Sequence, residues 1–161
     1  MGYQVFVPAS DRTKSYRGQR LDEIRELVAH LSLPLIPAAQ RIIENIDLLW
    51  LDRNAIQAAF EVERTTAIYS GILRMTDLLA LQPNLDIHCY LVAPDERQAQ
   101  VVQQVNRPTF ARMRRPFSSV CRFISFSALL EEQERGERAW RHQRFSYITD
   151  ELSESVAIDN I

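Results

Sequence analysis

Two apolar runs joined by a two-residue turn constrain this chain more than any other feature in it. IDLLWLD (46–52) and IQAAFEVE (56–63) flank Arg53-Asn54 and read as the two strands of a β-hairpin. Both runs are apolar at nearly every position, which implies strands covered on both faces rather than a sheet with one wet side. IHCYLVAP (87–94) is a third run of this type and CRFISF (121–126) a fourth. Helix-length polar segments follow them, at 95–105 and 127–143. Such strand-helix order implies an α/β layer.

The remaining segments fill in around this frame. Residues 3–8 read as a short strand ended by Pro8, and 9–20 as a polar loop punctuated by Gly18. Leu21, Ile24, Leu27, Val28 and Leu31 recur at helical spacing, which predicts a helix over 21–31 broken by Pro34 and Pro37. A short helical turn is expected through Arg41 to Glu44. Thr65 or Thr66 is placed to cap a helix running through Leu81, with Ile68, Ile72, Met75 and Leu79 on one face and Ser70, Arg74 and Asp77 on another. A chain of 161 residues with 46% apolar content suits one domain, here 1–145, followed by an acidic and loosely held tail over 146–161. Cys89 and Cys121 lie in apolar runs without metal or redox spacing and read as reduced core residues of a cytoplasmic protein. No stretch approaches the ~18 apolar residues of a membrane span, so no membrane partner is expected.

The hairpin carries acids where its pattern implies burial. An unpaired buried carboxylate is costly, so Asp47, Glu61 and Glu63 each require a reason. Strand alternation puts Glu61 and Glu63 on one face. A turn at Arg53-Asn54 brings Asp47 opposite residues 60–62, depending on register. Three carboxylates converging at a strand end suit a hard cation such as Mg²⁺, with Mn²⁺ as an alternative. Such an ion polarises a phosphoryl oxygen and lowers the pKa of a bound water. The competing reading is that these acids pair with Arg41, Arg64 or Arg74.

An acid opening one strand, followed by an acid-x-third-residue pattern in the adjoining strand, resembles the PD-(D/E)xK nuclease superfamily, the restriction-endonuclease-like proteins. The matching residues are Ile46-Asp47 and Glu61-Val62-Glu63. The resemblance extends through IDLLWLD, AFEVERTT, IYSGILRMTDLLALQPNL and YLVAPDE, about Ile46 to Glu96. It implies an αβββαβ core with a mixed central sheet between helices. It also implies Mg²⁺-dependent hydrolysis of DNA phosphodiester bonds in restriction or host defence. Asp47, Glu61 and the Val62 carbonyl would be the metal ligands. Ile46 stands where the family has proline, and Glu63 stands where it has lysine. Some restriction enzymes of the superfamily carry glutamate there, where it would serve as a ligand or a water-activating base. Glu44, three residues before Asp47, matches the extra helix-borne acid seen in parts of the superfamily. A member that kept the fold and lost the lysine would be a non-catalytic nucleic-acid-binding or assembly module, and this is the alternative reading. A third is a structural domain whose acids neutralise arginines.

The charges separate along the chain. There are 19 basic and 21 acidic residues, and 18 of the bases are arginine; Lys14 is the single lysine. It sits in a loop from which it could reach the acids. From Arg97 to Leu130 there are six arginines and no acid. Arg107, Arg112, Arg114 and Arg115, interleaved with Pro108, Phe110, Met113 and Pro116, suit a loop lying along a nucleic-acid backbone. The other reading pairs them with the glutamates at 131–137. On the helix after the motif, Arg74 is placed either to meet a phosphate, with Ser70 as an accessory, or to pair with Asp77. The expected partner is DNA, with RNA open, and both a homodimer and further domains of a longer protein are open.

Overall fold

The computed structural model describes residues 3–53, 55–64, 68–135 and 147–158. Its strands are β1 (Gln4–Phe6), β2 (Ser15–Tyr16), β3 (Gln19–Arg20), β4 (Leu48–Asp52), β5 (Ala55–Val62), β6 (His88–Ala93), β7 (Cys121–Ser125) and β8 (Glu154–Ser155). The helices are α1 (Pro37–Ile43), α2 (Ile68–Leu81), α3 (Gln98–Val105), α4 (Pro108–Ala111) and α5 (Phe126–Glu134). One six-stranded sheet runs in the order β1-β4-β5-β6-β7-β8. It is mixed: β1, β4 and β5 form an antiparallel meander, β5, β6 and β7 are parallel, and β8 pairs antiparallel with β7. This is an α/β sheet flanked by helices, consistent with the restriction-endonuclease-like core.

Burial on both faces explains the unbroken apolar runs. Ala59, Cys89, Leu91, Cys121 and Phe123 pack with Ile43 of α1, Ile72 and Met75 of α2 and Val101 of α3. The alternate residues Ala58, Phe60, Tyr90, Val92 and Ile124 pack on the opposite face with Ile148 and Leu152. Cys89 and Cys121 are adjacent across the sheet, free and buried, and burial pushes the Cys89 thiol up to about 12. No helix among the described residues is long and apolar enough to cross a membrane.

Three expectations change, and a fourth is covered only in part. Residues 21–31 form no helix beyond a 3-10 turn at Leu21–Glu23. Their backbone instead covers the free edge of β1: the Val5 N–H donates to the Glu26 carbonyl at 2.9 Å, and the Val28 N–H to the Val5 carbonyl at 2.8 Å. Pro37 starts a helix rather than breaking one, because at the first helical position its missing N–H has no partner to lose. Helix α5 spans Phe126–Glu134, and the rest of the segment expected to 143 lies outside the described residues. The acidic segment is anchored rather than loose. Ile148, Leu152 and Val156 are buried, and Glu154–Ser155 forms the sixth strand.

Candidate functional site

The site is set by the register of one hairpin. Leu48 faces Phe60, so Asp47, the residue before β4, comes opposite Glu61. A register shift between Trp50 and Leu51 is needed for this: Asp52 faces Ala55 near the turn, and one extra residue of β5 is absorbed before Trp50 meets Ala58. Arg53 turns the chain with a positive φ of 54°. Asp47 Oδ2 accepts the Val62 N–H at 2.8 Å, tying the start of one strand to the end of the other. Past the end of β5, the Glu63 N–H still donates to the Val92 carbonyl at 2.8 Å. Glu61 and Glu63 therefore point to the same face, under α2, at 0% and 7% exposure.

Gly71 makes that burial sterically possible. A Cβ there would lie 2.8 Å from Glu63 Oε1 and 3.0 Å from Glu61 Cβ, so only glycine lets α2 seat this closely on the two glutamates. Sequence reasoning passed over Gly71; the available signal was a lone glycine inside a helical pattern, which marks close packing. One turn further along α2 is Arg74. Its Nε donates to Glu61 Oε1 at 2.8 Å and its Nη2 to Glu61 Oε2 at 2.5 Å. Of the placements expected for Arg74, neither the phosphate contact nor the pair with Asp77 is adopted; it takes the third, a pair with one of the hairpin acids. The buried carboxylate takes the guanidinium, because a bidentate charge-assisted pair offsets burial that a solvated i, i+3 pair would not.

The electrostatics follow from this geometry. Burial is the main force pushing Glu61 up, to about 7; the Arg74 hydrogen bond opposes it, and the Asp47 and Glu63 charges add to it. Glu63 also rises, first through burial and then through Asp47, against Arg74, a hydrogen bond from the Gly71 N–H and the charge of Arg97. Asp47, Glu61 and Glu63 are neighbours, yet among the described residues no three His, Cys, Asp or Glu side chains gather closely enough to hold a metal ion. The reason is local. Asp47 gives an oxygen to the Val62 N–H, Glu61 gives both to Arg74, and Glu63 accepts from Gly71. The donor set is nonetheless of the right chemistry for a hard divalent cation, all oxygen and mostly anionic, and Glu61 already holds a positive group.

The sequence model for the C-terminal domain of the Type II restriction enzyme NmeDI matches residues 1–156. The chain belongs to this family. A curated relative, the Type II restriction enzyme NmeDI of Neisseria meningitidis serogroup C, is 28% identical over 119 residues, covering 70% of this chain and 34% of the relative. The chain thus spans about a third of the length of the relative it matches. No solved structure gives a significant match.

In this member of the NmeDI C-terminal domain family, the other predicted residues are dispersed. Glu44, at the C-terminus of α1, is exposed and accepts from Gln40 Nε2 at 2.9 Å. Lys14 is exposed with its Nζ 2.8 Å from Asp11, which raises its pKa, and its charge also reaches Asp47. Ser70 is half-buried beside Gly71. Arg107 stacks over the Tyr69 ring at 5.2 Å, and its Nη1 donates to Gln104 at 3.2 Å. Arg112 and Arg114 are exposed after α4. Arg115 pairs with Asp86 at 2.7 Å, just before β6 and so at the opposite end of that strand from Glu63. The arginine loop therefore does not line the acids as one stripe.

Proposed function

We propose that this domain hydrolyses DNA phosphodiester bonds with a divalent metal, as part of a restriction activity. The observation that carries the reading is Asp47 set opposite Glu61 by the hairpin register, with Glu63 buried beside it on the same face. Membership of the NmeDI C-terminal domain family supports DNA as the substrate, since the relative is named a Type II restriction enzyme. Asp47, Glu61 and the Val62 carbonyl would hold Mg²⁺ or Mn²⁺, which supplies polarisation of a phosphoryl oxygen and acidification of a water when bound. Glu63 replaces the lysine of the resemblance. Its raised pKa suits a carboxylate that takes a proton from an attacking water, and the Gly71 N–H fixes its orientation. Arg74, released from Glu61, is the side chain that would turn to substrate phosphate.

The bidentate Glu61–Arg74 pair favours a second reading, a non-catalytic nucleic-acid-binding or assembly module in which the acids are internally neutralised. One assay separates them. The purified chain is incubated with plasmid and linear DNA in Mg²⁺, Mn²⁺ or EDTA, beside Glu61→Ala and Asp47→Asn. Asparagine keeps an acceptor for the Val62 N–H, so Asp47→Asn should fold like the wild type. The nuclease reading expects ion-dependent cleavage lost in both variants with folding intact. Binding that survives both substitutions, without cleavage in any ion, establishes the second reading.

A further inference from the structure

One cation beside the acids has an unused donor. Arg97 Nε and Nη2 both donate to Gln100 Oε1, at 3.3 and 3.1 Å, which holds the guanidinium in one orientation. Its Nη1 is buried and has no acceptor among the described residues. A buried guanidinium N–H without an acceptor is unfavourable, and folded proteins normally supply one from a ligand, an ion or water. Nη1 itself has no accessible surface, while the side chain as a whole is half-buried, so a ligand meets the guanidinium at its exposed part.

Its position is what gives the orphaned donor meaning. Strands β5 and β6 are parallel, with Val62 facing Val92. After β6 the chain passes through a 3-10 turn at Asp95–Arg97 and opens α3, which packs against α2. Arg97 therefore stands at the carboxyl ends of β5 and β6, the end that carries Glu63 and where open α/β sheets receive ligands. Its charge reaches Glu63. Arg74, whose charge also reaches Glu63, is engaged by Glu61.

We propose that Arg97, oriented by Gln100, binds a backbone phosphate oxygen of the nucleic acid next to Glu63. The inference rests on the nucleic-acid reading above and adds a contact outside the 107–115 arginine loop. It makes Arg97 a substrate-positioning residue: it fixes where the phosphodiester lies relative to the acids.

The test is anisotropy of a fluorescein-labelled 20-base-pair duplex in EDTA, titrated with the full chain at several salt concentrations, for wild type, Arg97→Gln and Arg97→Lys. Loss of one phosphate contact lowers the slope of log K against log salt by about 0.9. Arg97→Gln should show that drop with weaker binding on every sequence, while Arg97→Lys keeps the wild-type slope because it keeps the charge. If Arg97→Gln does not fold, Arg97→Lys alone decides: affinity below wild type at unchanged slope supports the contact, and wild-type affinity overturns it. An unchanged slope and affinity in Arg97→Gln overturn it, as does a wild-type chain that binds no duplex. Parallel cleavage assays keep the two readings apart. A chain that cuts but shows no slope change in Arg97→Gln refutes Arg97 alone. A chain that binds, loses one contact in Arg97→Gln and never cuts refutes the nuclease reading alone.

Discussion

Replacing Arg74 by methionine, which keeps most of the side-chain length and removes the guanidinium, should convert a nearly pH-independent stability difference into a pH-dependent one. In the folded protein Glu61 titrates at about 7 against an ordinary 4.5. A group whose folded pKa is raised adds stability that is fully present below the unfolded pKa and is lost as pH rises through the folded value. For wild type that loss falls between about pH 4.5 and 7 and amounts to about 3 kcal/mol, at ~1.4 kcal/mol per unit, undiscounted because Glu61 is fully buried. Arg74 is the main influence holding the value down, so Arg74→Met moves it higher. Below pH 7 both proteins carry protonated Glu61, and the variant should be less stable by a roughly constant amount of about 1–2 kcal/mol for the lost hydrogen bonds. Above pH 7 wild type levels off while the variant continues to lose ~1.4 kcal/mol per unit until its own midpoint. Urea denaturation at pH 5.5, 7.0 and 8.5 measures this. The same pair of measurements in a Glu61→Gln background should depend on pH more weakly, and what remains comes from Glu63, which Arg74 also holds down. A difference that is the same at pH 5.5 and 8.5 in the native background would refute the argument, showing that Glu61 is ionised throughout and that the ion pair, not burial, governs it.

Two further expectations follow from packing. Gly71→Ala gains about 1 kcal/mol of helix propensity but must push α2 away from Glu61 Cβ at 3.0 Å on a central strand. Overpacking of this kind typically costs about 1–3 kcal/mol, so a net loss in urea melts and displaced glutamates are expected, and an alanine variant as stable as wild type would show that α2 is not seated on them. Deleting 147–161 removes β8 and the buried Ile148, Leu152 and Val156, at about 1.5–3 kcal/mol for each side chain. Calorimetry should show a large drop in Tm or no cooperative transition; melting at the full-length temperature would place this segment outside the folded unit.

The sequence by itself determined the sheet and the presence of the acids within it. Unbroken apolar runs have few stable destinations other than strands covered on both faces, and period-two alternation sends Glu61 and Glu63 to one side whatever surrounds them. Local periodicity failed where a segment's backbone found a distant partner. Residues 21–31 carry a helical pattern, yet 26–28 give their hydrogen bonds to the edge of β1, and the acidic segment at the C-terminus is held by three apolar side chains spread among its charges. The Leu48–Phe60 register was one of those open in the sequence, and the β5 irregularity near Trp50 selects it, because a slip of one residue would face Asp47 to Phe60 instead of Glu61. The partner of Arg74 and the need for glycine at 71 were likewise decided only in three dimensions. Both depend on how closely α2 approaches β5, a distance set by packing between segments far apart in the chain and carried by no local pattern of residues.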